Sequence, residues 1–295
     1  MIERKTLGTR LFKVFNYAIL TLLAFSCFYP LWYTFCLSVS DKAATNAGWV
    51  TIYPIGFTWV SYTEIMGDFS FWNSFLISIE RVFIGTPFTL VVIIMLAYPL
   101  SKNNKIFHGR NVLMWIVVFC MIFNGGTIPW FITMKNYGLM DSVLGLVLCG
   151  SLPVFNVILM MNFFKNLPKD IEEAATVDGA GLWRILFQIV VPCSGPVIAT
   201  ITLFVSVAYW NEYFQGLVLS NTEAHYPLQT YVKQIVVNVN MSGNMTTEQM
   251  IQISKLSNKS LNAAKVFITM IPMLLVYPWL QKYFVSGIMI GSVKE

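Results

Sequence analysis

The sequence predicts an all-α membrane protein with six transmembrane helices and a cytoplasmic helical loop between the fourth and the fifth. Its 295 residues are 56% hydrophobic and 11% charged, whereas a soluble domain carries about 25% charged residues. Six long apolar runs are present, and a helix needs about 20 apolar residues to cross the hydrocarbon core. Lys and Arg flank these runs instead of forming the single basic stripe that favours nucleic-acid binding.

The predicted spans follow the apolar runs in chain order. The first run is too long for the apolar core of a cleaved signal peptide, and no small-residue cleavage site follows it. The fifth span is placed to begin near Pro196, because Pro192 and Pro196 are poor residues for a helix interior. The six predicted spans are 14–40, 71–101, 111–134, 142–164, 196–219 and 266–281, with 283–285 completing the last.

The distribution of basic residues predicts the orientation of the spans. Twelve of the 19 Lys and Arg residues lie in the two terminal segments and in the loops after spans two and four. Short cytoplasmic loops carry such an excess, so both termini are predicted to be cytoplasmic. The chain then divides into a cytoplasmic amphipathic start at 1–13, a transmembrane domain at 14–286 and a cytoplasmic tail at 287–295.

The loop at 165–192 contains the sequence PKDIEEAATVDGAG. Pro168 is suited to the start of a helix. Asp170, Glu172 and Glu173 fill the first turn, where the helix dipole favours anions. The loop is therefore predicted to open with a short acidic helix on the cytoplasmic side.

Small residues follow the acidic turn. Ala174 and Ala175 leave the helix with little side-chain bulk, and Gly179 and Gly181 are predicted to end it. An apolar stripe at helical spacing then resumes within 182–189. A slim helix of this kind can enter a cleft on a partner protein, and an ordinary solvated loop is the alternative that composition leaves open.

The motif in this loop resembles the cytoplasmic signature of membrane subunits of ABC importers, E-A-A-x-x-D-G-A followed by Phe, Ile and Pro. The matching residues are Glu173, Ala174, Ala175, Asp178, Gly179, Ala180, Phe187, Ile189 and Pro192. The resemblance implies that the loop forms a coupling helix that docks into an ATPase subunit. The coupling residues that it implies are Glu172, Glu173, Ala174, Ala175, Asp178, Gly179 and Ala180.

Residues 53–295 resemble the carbohydrate branch of these importers, similar to the second permease of the maltose system. FNGGTIPWF, NYGLMDS, HYPLQ and the terminal YPWLQKYFVSGIMIGSVKE resemble a subgroup for complex oligosaccharides. The resemblance implies a bacterial plasma-membrane importer with a second permease, two ATPase subunits and an extracellular binding protein. It also implies that the tail at 287–295 contacts the ATPase dimer, with a frayed end as the alternative.

Motifs for ATP hydrolysis, metal binding and catalysis are missing from the sequence. It has no G-x-x-x-x-G-K-[ST] phosphate loop and no H-E-x-x-H, and its five cysteines form no C-x-x-C pair. We therefore expect a chain that is not an enzyme and binds no cofactor, with ATP and Mg held by separate ATPase subunits.

One ionisable residue, Glu212, lies deep in the predicted fifth span, where such a residue suggests function. At about 1.5 Å per residue it lies roughly two-thirds of the way toward the outside. Tyr209, Trp210, Asn211 and Tyr213 surround it in the sequence, and polar groups among aromatic faces suit a sugar. These five residues are the candidate substrate pathway. The alternatives are membrane anchoring by the aromatic residues and pairing of Glu212 with another helix.

Four further polar residues have open roles. Glu80 and Arg81, at the start of the second charge-free run, are interpreted as an interface pair or an anchor, with substrate contact as the alternative. Asn124 and Asn156 are weaker pathway candidates, for which hydrogen bonding between helices is favoured. A secondary transporter half or a small channel is the alternative function, although several buried ionisable residues are expected in such a protein.

Overall fold

The computed structural model describes residues 7–150, 152–238 and 259–292. Within these ranges the secondary structure is helical, without a β-strand. Continuous helix satisfies every backbone N–H and C=O internally, which is what an apolar chain in lipid requires. The chain divides into two units, residues 1–69 with 232–271 and residues 70–231 with 272–295.

The first unit is built around long helix α1, Leu7–Ser38, followed by the short helices α2, Lys42–Asn46, and α3, Val60–Met66. Asp41 caps α2 by accepting a hydrogen bond from the Ala43 N–H at 2.9 Å. The last long helix, α15, is Lys259–Ser292. Its amino-terminal part contacts the rest of this unit through a Ser61–Ser260 hydrogen bond of 2.9 Å and a Lys265–Asp68 ion pair of 2.6 Å.

The second unit contains most of the remaining helices. They are α4 Phe69–Ser101, α5 Arg110–Ile122, α6 Thr127–Asn136, α7 Val143–Leu148, α8 Val154–Asn166, α9 Lys169–Val177, α10 Leu182–Ile185, a π-helical turn Leu186–Val190, α11 Val191–Cys193, α12 Gly195–Asn211, α13 Phe214–Leu219, a 3₁₀ turn Glu223–His225, and α14 Leu228–Asn238, which continues into the first unit. Its core lies between α4, α8 and α12, where Ile93, Val157 and Ile201 are fully buried.

Three described helical stretches are long and apolar enough to cross a membrane: Gly8–Ser38, Phe69–Ser101 and Lys259–Val276. Two bent pairs raise the number to five if each pair is one span. These are Arg110–Ile122 with Thr127–Asn136, bent by 112°, and Leu182–Cys193 with Gly195–Asn211, bent by 83°. The structure therefore supports three to five spans by length and composition and does not confirm six.

The predicted third, fourth and fifth spans are broken where a single helix was expected. Gly126 has a φ of 86°, and its N–H donates to the Asn124 side chain at 2.9 Å, so this asparagine makes a local turn in the third span. The fourth is interrupted between α7 and α8, next to Pro153, which cannot donate a helical hydrogen bond. The fifth ends at Asn211, not at Leu219.

Long helices run through both boundaries of the predicted division, which stays a prediction. The first helix begins at Leu7 and continues without interruption past residue 13, and the last helix continues to Ser292 through most of the predicted tail. Residues 41–70 contain α2 and α3, and residues 221–238 contain the 3₁₀ turn and α14. Residues 239–258 and 293–295 lie outside the described ranges.

Candidate functional site

The acidic helix expected after Pro168 is α9, with Pro168 as its N-cap residue and Asp170 and Glu172 in its first turn. The helix ends at Val177, and Gly179 then adopts a φ of 78°. A positive φ is strained for residues with a side chain and easy for glycine. Because of this turn, the chain reverses direction and α10 follows within a few residues.

One face of α9 is fixed to the helices of its own unit. The Lys102 ammonium, just beyond α4, forms an ion pair with Glu172 and lies 4.2 Å from the centre of the Tyr98 ring. Ala175 is buried in the core, and its carbonyl accepts a hydrogen bond from the Ala180 N–H at 2.9 Å. The Lys102 contacts link α9 to the end of α4.

The opposite face of α9 is open. Glu173, Ala174 and Asp178 are exposed. Beside them, Val177 is 88% exposed and Trp183, which stacks on Phe187 with the ring centroids 6.1 Å apart, is 64% exposed. Large apolar side chains that are exposed beside a polar helix are typical of a surface that another protein covers.

A second polar site is centred on Arg81 of α4, whose side chain is only 1% exposed. Its Nε donates to the Leu146 carbonyl of α7 at 3.1 Å, and its Nη1 donates to Glu212 at 3.1 Å. Its Nη2 donates to the Gln215 side chain of α13. The guanidinium also lies 5.3 Å from the centre of the Tyr209 ring of α12. One arginine thus joins four helices, and its charge is neutralised by a carboxylate.

The break between α12 and α13 follows from these contacts. Glu212 is extended, with φ −75° and ψ 124°, and its second carboxylate oxygen accepts the Gln215 N–H at 2.8 Å. The carboxylate satisfies a backbone donor at the start of α13, where helical partners are missing. Glu212 therefore holds the helix interruption and pairs with Arg81 at the same time.

A pocket of about 260 Å³ adjoins this network. Tyr209 crosses it, and its hydroxyl group donates to the Val147 carbonyl at 3.1 Å and lies 2.9 Å from the Thr89 hydroxyl. The lining residues are Arg81, Thr89, Gly150, Pro153, Asn156, Phe204, Val205, Ala208, Tyr209, Glu212 and Gln215. The lining combines aromatic faces with hydroxyl and amide groups, and its two charges form one pair.

The pocket contains two of the five predicted pathway residues, Tyr209 and Glu212. Trp210 is buried against Phe75 at 5.8 Å between ring centroids, Asn211 is exposed, and Tyr213 is half-buried outside the lining.

The predicted pair of Glu80 with Arg81 is not formed. Glu80 is exposed, whereas Arg81 pairs with Glu212, 131 positions further along the chain. A buried arginine in an apolar run indicates that a counter-charge exists, but not where it lies in the sequence. Thr89, Asn156 and Gln215 carry no sequence signal strong enough to group them with Arg81.

Apolar helices long enough to cross a membrane, some of them broken, and an exposed acidic helix are compatible with a membrane transporter subunit. Residues 4–290 match the family described as "Binding-protein-dependent transport system inner membrane component", and the chain belongs to that family. It is accordingly a permease subunit of an ABC importer and an inner-membrane component. Importers of this family combine such a subunit with a partner permease, ATPase subunits and a substrate-binding protein.

Individual proteins resemble the chain along nearly its whole length. It is 37% identical to the polygalacturonan/rhamnogalacturonan transport system permease protein YtcP of Bacillus subtilis (strain 168), over 97% of this chain and 99% of the relative. It is 28% identical to the melibiose/raffinose/stachyose import permease protein MelC of the same organism, over 94% and 96%.

A solved structure is similar to the chain as well. It is titled a bacterial ABC transporter involved in the import of the acidic polysaccharide alginate. The matching chain is 34% identical, with a TM-score of 0.86, covering 96% of this chain and 99% of that one.

Proposed function

We propose that this permease imports an oligosaccharide delivered by an extracellular binding protein. The support comes from similar proteins that are named for polygalacturonan and rhamnogalacturonan, for melibiose, raffinose and stachyose, and for alginate. All are carbohydrates larger than one sugar, and they differ in charge. Galacturonan fragments are the first probe to use, because that relative is 37% identical over 97% of this chain.

The sugar pathway on this chain's side is proposed to follow the segment 209–213. Tyr209 and Glu212 of this segment line the pocket, and Trp210, Asn211 and Tyr213 flank it. A sugar presents hydroxyl groups at its edge and C–H groups on its faces, so hydroxyl and amide groups beside an aromatic ring match it chemically. The second permease of the heterodimer supplies the other half of the pathway.

The loop containing α9 is proposed to be the coupling helix, docked into a cleft of an ATPase subunit that holds ATP and Mg. The observation that carries this proposal is the exposed acidic face of α9 beside uncovered Val177 and Trp183, on a loop fixed to α4 by Lys102. The residues proposed for coupling are Glu172, Glu173, Ala174, Ala175, Asp178, Gly179 and Ala180. Closure of the ATPase dimer would move α9 and α4 together and open the pathway outward.

The proposed orientation puts both termini and α9 in the cytoplasm, on the side of the ATPase subunits. The excess of Lys and Arg in the terminal segments and in the loops after α4 and α8 supports it. The cytoplasmic start at 1–13, the transmembrane domain at 14–286 and the tail at 287–295, with its contact to the ATPase dimer, belong to the same proposal.

The experiment is a comparison of sugar-stimulated ATPase activity in the reconstituted importer. Gly179→Pro forces φ to about −65° at a position that has 78°, and Glu173→Lys reverses an exposed charge. Both variants are expected to reach the membrane and to lose the stimulation. Gly181→Ala is the matched control, because Gly181 has a φ of −71° and open space at its Cβ position. Normal stimulation in both variants would contradict the assignment of α9.

A further inference from the structure

The Asn156 side chain is a buried polar group with no hydrogen-bond partner among the described residues. Asn156 lies in the first turn of α8 and is 5% exposed. Across residues 7–150, 152–238 and 259–292, no hydrogen bond to its carboxamide is present. A carboxamide that lines a pocket without a protein partner is available to hydrogen-bond a ligand or water there.

The carboxamide is open to the pocket. Asn156 belongs to the pocket lining. In the described part of the chain, Ser74 Oγ is the one side-chain oxygen or nitrogen that is both inaccessible to solvent and without a hydrogen-bond partner. The Asn156 amide also lacks a partner, so its atoms must keep some accessible surface, and that surface opens to the pocket. The hydrogen bond to another helix that the sequence favoured for Asn156 is not made within the described residues.

Most of the other polar groups of the pocket already have hydrogen-bond partners in the chain. Glu212 accepts from Arg81 and from the Gln215 N–H. The side-chain oxygen of Gln215 accepts a hydrogen bond from Arg81 and lies 3.1 Å from the Cys149 sulfur. Tyr209 is hydrogen-bonded at its hydroxyl group. Each Glu212 carboxylate oxygen already accepts one hydrogen bond, so Glu212 has less hydrogen-bonding capacity left for a sugar than the Asn156 carboxamide.

We infer that the Asn156 carboxamide is a hydrogen-bonding residue for one sugar unit in this pocket, while the Arg81–Glu212 pair positions the wall and does not bind the substrate. This inference rests on the proposed function and adds to it a residue that contacts the sugar. An amide offers both a donor and an acceptor, which fits two neighbouring sugar hydroxyl groups. The tyrosine ring and Phe204 supply apolar surface, and a volume of about 260 Å³ limits occupancy to a short part of an oligosaccharide.

The first test measures transport by the complete importer, with its partner permease, ATPase subunits and binding protein, in vesicles. The probe is radiolabelled trigalacturonate, and the readout is sugar imported per ATP hydrolysed. Asn156→Ala is expected to lower this ratio about 2- to 10-fold, the loss of one hydrogen bond. Asn162→Ala removes the same amide from an exposed position of the same helix and is expected to keep the wild-type ratio. An unchanged ratio for Asn156→Ala, or equal losses in both variants, would overturn the inference.

The second test needs no sugar and so separates this inference from the proposed substrate. Asn156→Cys and Val157→Cys are treated with a membrane-impermeant maleimide from either side of the vesicle, and the labelled peptide is quantified by mass spectrometry. Val157 is adjacent and 0% exposed. Labelling at position 156 but not at 157 is expected. If position 156 stays unlabelled with and without ATP, the inference fails, even where import succeeds. If wild-type importer imports no trigalacturonate but position 156 is labelled, the proposed substrate fails and the position of Asn156 in the pathway stands.

Discussion

Arg81 illustrates how one residue determines the local architecture. Its side chain is almost completely buried, and three of its contacts are hydrogen bonds to Leu146 in α7, to Glu212 just after α12 and to Gln215 in α13. A buried guanidinium is tolerated only when it is neutralised and hydrogen-bonded. The wall of the pocket therefore depends on the ion pair being complete.

Removing one partner of the Arg81–Glu212 pair is expected to destabilise the protein more than removing both partners. Glu212→Ala leaves a buried cation without its counter-charge, which costs about 3–5 kcal/mol. The double variant Arg81→Met, Glu212→Ala removes both charges. We expect it to have a higher thermal unfolding midpoint than Glu212→Ala alone, measured by tryptophan fluorescence of the purified importer. If the loss of stability in the double variant equals the sum of the losses from the two single substitutions, the two residues are not coupled, which would contradict the ion pair's structural role.

Asp141 fixes the connection between α6 and α7. It has a φ of 52°, and its carboxylate accepts the Asn221 N–H at 2.7 Å, with His225 Nδ1 3.4 Å away. The Asn221 N–H is the main cause of a pKa of Asp141 below its ordinary value of 3.8. Because the pKa is lower in the folded state, the stabilisation is complete above pH 3.8 and is lost as the pH falls through the lower, folded value.

Hydrogen exchange at Asn221 tests this contact. Asp141→Asn keeps a residue that tolerates a positive φ but removes the charge, so faster amide exchange at Asn221 is expected at pH 7. In the wild-type protein, protection relative to the intrinsic rate is expected to stay constant between pH 8 and pH 5. Protection that already falls within this range would show that a group other than Asp141 controls the contact.

At the scale of elements, α4 and α12 are in close contact where Gly85 faces the Tyr209 ring. A Cβ atom on Gly85 would lie 2.8 Å from the Tyr209 ring, well inside van der Waals contact. The same ring meets Gly150 from another side, where a Cβ would lie 3.7 Å from the hydroxyl oxygen. The position of Tyr209 in the pocket thus depends on the missing side chain at residue 85.

Gly85→Ala is expected to destabilise the importer and to displace Tyr209 from Thr89. Overpacking of this kind costs about 1–3 kcal/mol, so a lower thermal unfolding midpoint and slower sugar uptake are expected. Gly150→Ala is the control, because its Cβ makes ordinary contacts. Equal effects of the two substitutions would mean that the close approach does not control the pocket.

At the scale of the whole molecule, local signals predicted local structure. The proline, the acidic turn and Gly179 predicted a short helix and its end, because each acts on its own backbone. The apolar runs predicted helices, but not the breaks within them. The interruption at Glu212 depends on Arg81, 131 positions away, and a contact at that separation leaves no periodic pattern in the sequence.

The candidate site was predictable to a similar extent. Tyr209 and Glu212 were identified because an acidic residue among aromatic residues is unusual in an apolar run. Asn156 was noted as a polar residue in a span, but its role depends on the hydrogen bonds that the fold leaves unmade. Trp210 and Asn211 have the same composition signal as their neighbours, yet they follow Tyr209 along a helix of 3.6 residues per turn and do not line the pocket.

The central claim is that ATP hydrolysed by partner subunits drives sugar import through this chain. The most direct measurement is uptake of labelled trigalacturonate by vesicles that contain the reconstituted importer and external binding protein. We predict uptake that requires ATP on the ATPase side and continues when ionophores collapse ion gradients. Uptake without ATP that stops when the proton or sodium gradient is removed would contradict the account and indicate a secondary transporter.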